Sequence, residues 1–83
     1  MIFLYFVYIV KCSDDTLYTG IATDVKRRVD EHNDSKKGAK YTKPRRPVEL
    51  VYSEIAQDRS CASKREREIK KLPRIKKLEL INA

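Results

Sequence analysis

Ile2 to Val10 is an unbroken apolar run in a chain whose residues are 37% charged. Such a run has to leave water, and its length limits how. It is far shorter than the roughly 20 residues a membrane span needs. No basic residue precedes it and no small-x-small cleavage site follows it, so it does not read as a secretory leader. Its Ile, Phe, Val and Tyr content favours extended backbone. The expectation is a buried strand in a cytoplasmic protein that makes no use of a membrane.

The remaining elements follow from punctuation and periodicity. Ser13-Asp14-Asp15 reads as a turn, and Leu17 to Ala22 reads as a second strand, giving a β-hairpin with a four- to five-residue loop. Thr23 is placed to cap a helix over about 24–33, with Asp24 favourable in its first turn. Residues 34–47 contain Gly38, Pro44 and Pro47 and read as a loop. Val48 to Ile55 alternates apolar and polar positions and reads as a third strand. Asp58 can cap a helix running to Leu72, Pro73 breaks it, and 74–82 forms a short last helix. The order β-β-α-β-α-α predicts an α+β fold, a small three-stranded antiparallel sheet flanked by helices. At 83 residues, 1–83 is a single domain. It has little room for a large cofactor pocket, so no small-molecule cofactor is expected.

Charge narrows the partner. Nineteen Lys and Arg against twelve Asp and Glu leave a formal +7. Such an excess suits nucleic acid, whose condensed counterions are released as phosphates are neutralised. The loop 34–47 concentrates it: Lys36, Lys37, Lys40, Lys43, Arg45 and Arg46 surround Tyr41, and a basic loop with an aromatic can contact phosphates and stack on a splayed base. Cys12 and Cys61 have no CxxC or Cys/His ligand spacing, so they read as small buried hydrophobes rather than a zinc site or a disulfide.

Polar residues also fall on faces that should be apolar. In the first predicted helix Val25 and Val29 define the inward stripe. Arg28 and His32 share it, while Lys26, Arg27, Asp30 and Glu31 face solvent, with Arg27 and Glu31 able to pair. In the second, Ala62, Ile69 and Leu72 mark the buried side, and Glu66 belongs to that side. A half-buried carboxylate must be paired, with Arg28 or a lysine, or must bind a metal. Tyr8 and Tyr18 stand in the two hairpin strands. A phenol near a cation and an imidazole can act as a general base or its relay; Tyr5 and Tyr52 read as core aromatics.

These residues carry a resemblance. Tyr8 and Tyr18 are ten apart, Tyr18-Thr19-Gly20 ends a strand, Arg28 follows Tyr18 by ten, His32 follows Arg28 by four, and Ala62 and Glu66 precede Ile69-Lys70. In this the chain resembles the GIY-YIG nuclease superfamily along nearly its whole length. It is most similar to the small, single-domain bacterial members related to the nuclease domain of the excision-repair incision enzyme. Leu17 to Arg28 and Asp58-Arg59-Ser60 carry the subgroup likeness. The first motif reads Phe6-Val7-Tyr8, without its usual glycine. Asn82 is the one candidate for the asparagine that many members carry after the metal-binding glutamate.

The resemblance implies metal-dependent hydrolysis of phosphodiester bonds, with DNA preferred to RNA and structured or damaged DNA as substrate. It implies one divalent ion, Mg²⁺ or Mn²⁺, held by Glu66. Arg28 would clamp a phosphate oxygen, and Tyr8 would orient or deprotonate water with His32 accepting the proton. Tyr18 would bind phosphate or share the base role, and Gly20 would let the backbone approach the substrate. Two other readings stay open: a non-catalytic nucleic-acid-binding module, and an interaction subunit of a repair complex.

Overall fold

The computed structural model describes residues 4–34 and 36–83. Strand β1 (Tyr5–Lys11) lies between β2 (Leu17–Ala22) and β3 (Glu49–Ala56) and is antiparallel to both. This central place explains the apolar run, because side chains alternate between faces and both faces of β1 are covered. Val7 and Ile9 are buried on one side, and Tyr8 and Val10 on the other. Residues 2 and 3 of the predicted strand lie outside the described residues.

Helix α1 (Val25–Asp34) covers one face, where Val25 and Val29 pack against the cluster of Tyr8, Val10, Cys12 and Val48. Helices α2 (Arg59–Lys70) and α3 (Arg74–Ile81) cover the other, where Ala62 and Ile69 join Val7 and Ile9 beside Leu80 and Ile81. Each fully buried Ile or Val is worth about 1.5–3 kcal/mol relative to exposure, so the sheet is held from both sides. The expected α+β order β-β-α-β-α-α is the observed one.

Local chemistry sets the boundaries. In the hairpin loop Asp15 has a left-handed φ of 67°, which Asp tolerates better than most residues. Asp14 Oδ1 accepts from the backbone N–H and the hydroxyl of Thr16. Helix α1 is capped by Asp24, whose Oδ1 accepts the Arg27 N–H at 3.0 Å, rather than by Thr23 one residue earlier; the carboxylate also complements the helix dipole. Asp58 caps α2 as expected, accepting the Cys61 N–H at 2.8 Å.

Helix α2 stops at Lys70 instead of Leu72, consistent with the bias against helical backbone just before Pro73. Strand β3 begins one residue later than expected. The Asn33 amide takes both backbone groups of Val48, receiving its N–H at 2.6 Å and donating to its carbonyl at 3.0 Å. A register shift between Ile9 and Val10 breaks the alternation of β3, so adjacent Val51 and Tyr52 both pack toward α2 and α3.

Cys12 is buried as expected, whereas Cys61 is exposed near the start of α2; both are free thiols. Among the described residues no helix is long and apolar enough to cross a membrane.

Candidate active site

Arg28 and His32 stand one turn apart on α1 and both turn inward. His32 is fully buried, and its Nε2 lies 2.7 Å from the Tyr8 hydroxyl on β1. Tyr18 of β2 presents its ring to the same imidazole in an edge-on arrangement with centroids 5.3 Å apart. The hairpin and α1 thus bring Tyr8, Tyr18, Arg28 and His32 together. Gly20, expected as a point of approach to substrate, is itself buried against the Tyr8 phenol.

Burial sets the protonation of this group. Removal from water pushes the Tyr8 pKa up to about 12; Tyr18 adds to the rise, the neighbouring Arg28 guanidinium opposes it, and Glu66 adds a smaller push upward. Burial also lowers the His32 pKa to about 4, with Arg28 reinforcing the fall, Glu31 opposing it and Arg46 adding to it. At neutral pH the site holds a neutral phenol bonded to a neutral imidazole.

Arg28 is anchored by its own helix and the following loop. Its Nη1 donates to Glu31 Oε1 at 2.9 Å and to the Lys37 carbonyl at 2.8 Å. Glu31 therefore does not face solvent as expected: it is half-buried, drawn in by Arg28, while its pair with Arg27 is longer at 3.9 Å. Arg28 also interacts with Tyr8 and lines a cleft of about 310 Å³ together with Thr23, Arg27 and Arg59.

Glu66 stands half-buried on α2, beside Ala62 and Ile69 as its spacing implies, and pairs with Lys70 at 3.6 Å rather than with Arg28. Among the described residues no three His, Cys, Asp or Glu side chains form a ligand cluster. A cation here would rest on Glu66 as its one carboxylate. That donor set suits Mg²⁺, which keeps several waters and takes phosphate oxygens to complete its shell. Asn82 caps the end of α3 and is exposed.

The basic loop divides into two groups. Lys36, Lys37, Lys40 and Lys43 are exposed. Arg45 and Arg46 are engaged within the fold. Arg45 pairs with Asp14 at 3.1 Å, donates to the Tyr41 carbonyl at 2.8 Å and lies 4.0 Å over the Tyr41 ring. Tyr41 in turn stacks on Tyr18 with centroids 5.8 Å apart. Arg46 Nε donates to the His32 carbonyl and its Nη2 to the Glu31 carbonyl, satisfying groups at the end of α1.

Thr42, which the sequence did not single out, is fully buried with its hydroxyl 2.9 Å from His32 Nδ1. No periodicity marks a loop hydroxyl as buried.

Comparison with known proteins shows what the whole chain is similar to. Residues 4–79 match the family model described as the GIY-YIG catalytic domain. A UPF0213 protein of Desulfotalea psychrophila, DP2720, is 60% identical over 79 residues, covering 95% of this chain and 72% of the relative. A UPF0213 protein of Staphylococcus aureus is 62% identical over 77 residues and 93% of each chain. Two solution structures have similar folds. That of the UPF0213 protein BH0048 from Bacillus halodurans has a TM-score of 0.60 at 43% identity, and that of EF2693 from E. faecalis has 0.65 at 38%. Each covers 95% of this chain and 83% of the other.

Proposed function

The chain belongs to the GIY-YIG catalytic-domain family, a nuclease family, and on that premise we propose that it hydrolyses phosphodiester bonds of DNA with the help of a divalent cation on Glu66. The observation that carries this reading is the 2.7 Å contact between the Tyr8 hydroxyl and His32 Nε2 beside Arg28.

A phenol whose pKa is about 12 is not ionised at neutral pH, so it does not act as a base alone. It can act as a relay. A water attacking phosphorus gives its proton to Tyr8 Oη as Tyr8 passes its own to His32 Nε2. The new P–O bond forms from the water oxygen, the bond to the departing sugar oxygen breaks, and solvent protonates that oxygen. His32 is neutral and thus able to receive, and an anionic phosphate nearby favours the imidazolium that results. Arg28, held by Glu31 and Lys37, faces the phosphate with a fixed planar fork. Mg²⁺ or Mn²⁺ on Glu66 would supply positive charge against the phosphate and the departing oxygen. Arg27 and Arg59 along the adjoining cleft fit the phosphates on one side of the scissile bond, and Lys36, Lys40 and Lys43 offer further positive charge on the loop.

The test is cleavage of labelled single strand, duplex, flap, fork and four-way junction with Mg²⁺, Mn²⁺ or EDTA, with Glu66→Ala beside the parent. Metal-dependent products that vanish in Glu66→Ala are expected. Equal cutting by parent and Glu66→Ala would refute the assignment of Glu66. Salt-sensitive binding without any products would favour the non-catalytic binding module, a reading to which the Glu66–Lys70 pair lends some support.

A further inference from the structure

We propose that Thr42 is a positioning residue, holding His32 in the tautomer that carries hydrogen on Nδ1 so that Nε2 meets the Tyr8 hydroxyl as a bare acceptor. The inference about the tautomer stands on hydrogen-bond geometry alone; its catalytic consequence rests on the function proposed above.

Three short contacts run in series through the interior. Tyr8 Oη is 2.7 Å from His32 Nε2, His32 Nδ1 is 2.9 Å from Thr42 Oγ1, and Thr42 Oγ1 is 3.0 Å from the Ala39 carbonyl. Tyr8, His32 and Thr42 are each at most 1% exposed. With His32 and Thr42 fully buried, each donor on these two side chains has to find its acceptor inside the chain.

Counting hydrogens decides the direction. A neutral imidazole has one N–H and a hydroxyl has one O–H. The Ala39 carbonyl, which also accepts the backbone N–H groups of Thr42 and Lys43 at 3.1 and 3.2 Å, has no hydrogen to give, so its contact with Thr42 Oγ1 uses the Thr42 hydrogen. Thr42 Oγ1 then accepts from His32, and the ring hydrogen is on Nδ1. Nε2 is left with a lone pair, into which Tyr8 donates.

The opposite arrangement turns the Thr42 hydrogen toward Nδ1. That leaves the Thr42 and Ala39 oxygens 3.0 Å apart with no hydrogen between them. It also makes Nε2 a donor to Tyr8, so that the Tyr8 proton has to turn away from the imidazole. One contact speaks for the opposite arrangement, Ala39 N–H toward Nδ1 at 3.4 Å. It is the longest of the set and the weakest by geometry.

The loop around Thr42 is shaped for this. A Cβ on Gly38 would come within 2.8 Å of the Glu31 carbonyl and 3.1 Å of His32 Cα, so the loop lies directly on α1. Arg46 bonds the His32 carbonyl from the same loop. Residues that look like a nucleic-acid-binding tract thus include the seat of the imidazole. The direction of the proton relay depends on this seat: a bare Nε2 can receive from Tyr8, whereas an Nε2–H cannot.

The experiment is ¹⁵N-resolved NMR of the ring in the full-length protein at neutral pH, for the parent, Thr42→Val and Thr42→Ser. His32 is the sole histidine of the chain, so the ring signals need no assignment. The parent and Thr42→Ser are expected to show protonated Nδ1 and unprotonated Nε2, and Thr42→Val a shift toward the other tautomer. A parent ring protonated on Nε2 would overturn the proposal even if Thr42→Val does not fold, as would a Thr42→Val ring unchanged from the parent.

Cleavage kinetics provide the second readout. Thr42→Val should lower kcat by about 100-fold with little change in KM, and Thr42→Ser should restore most of it. A parent with the expected tautomer but no cleavage would overturn the proposed function and leave the tautomer standing. Cleavage by Thr42→Val at the parental rate would overturn the positioning role.

Discussion

Gly20 and Tyr8 face each other across the β1–β2 ladder, and a Cβ at residue 20 would fall 2.5 Å from the Tyr8 hydroxyl oxygen and 2.8 Å from its Cζ. The missing side chain of Gly20 is the space the phenol occupies on its way to His32. Gly20→Ala should therefore displace Tyr8 and destabilise the fold by about 1–3 kcal/mol, as overpacked cores do. Because the closest atom is the hydroxyl, Tyr8→Phe combined with Gly20→Ala should lose less than the sum of the single losses, by on the order of 0.5–1 kcal/mol. Urea denaturation of the four proteins measures the cycle; strict additivity would contradict the geometry.

Acid should weaken the fold through His32. Its pKa is about 4 in the folded chain against 6.5 for the free residue, so between these values the unfolded state binds a proton that the folded state does not. Stability is at its full value above pH 6.5 and declines as pH falls toward 4, by on the order of 2 kcal/mol from this group. Asp14 and Asp58 have folded pKa values lowered from 3.8, Asp14 first by the Thr16 hydroxyl and Asp58 first by the Cys61 N–H. Their contribution is lost only at lower pH. Replacing His32 by Gln should flatten the stability profile between pH 6.5 and 4, and an unaltered slope there would assign the effect to other groups.

The basic residues of the loop should separate into two kinds of variant. Arg46→Ala removes donors from the carbonyls of Glu31 and His32 and should cost about 1–3 kcal/mol of stability. Lys40→Ala and Lys43→Ala alter exposed side chains and should leave stability within about 0.5 kcal/mol. If these lysines touch duplex phosphates, each loss should reduce the salt slope of binding by about 0.9. Thermal melts and fluorescence anisotropy at several salt concentrations distinguish the two kinds.

Arg59 offers a test of the cleft. It is exposed at the start of α2 and lines the cleft with Arg27 and Arg28. Arg59→Ala should weaken nucleic-acid binding severalfold and lower its salt slope without shifting the melting temperature. Unchanged affinity and slope would route the strand away from this cleft.

What the sequence determined by itself was local. The period of an α-helix puts Arg28 and His32 on the stripe of Val25 and Val29, and puts Glu66 beside Ala62 and Ile69, whatever the rest of the chain does. Strand alternation and turn residues likewise make the hairpin legible, because these signals lie within a few residues of one another. The capping of α1 by Asp24 rather than Thr23 shows how far such signals reach, since both residues satisfy the same local rule.

Only the tertiary structure decided the fate of residues 36–47. Whether Arg46 reaches solvent or the end of α1, and whether Thr42 meets water or an imidazole ten residues away, depends on where the loop settles. The same holds for Glu31, which turned inward because Arg28 was anchored there. Composition records how much charge a segment carries. Burial decides which charges remain available to a ligand, and burial is a property of the packed chain.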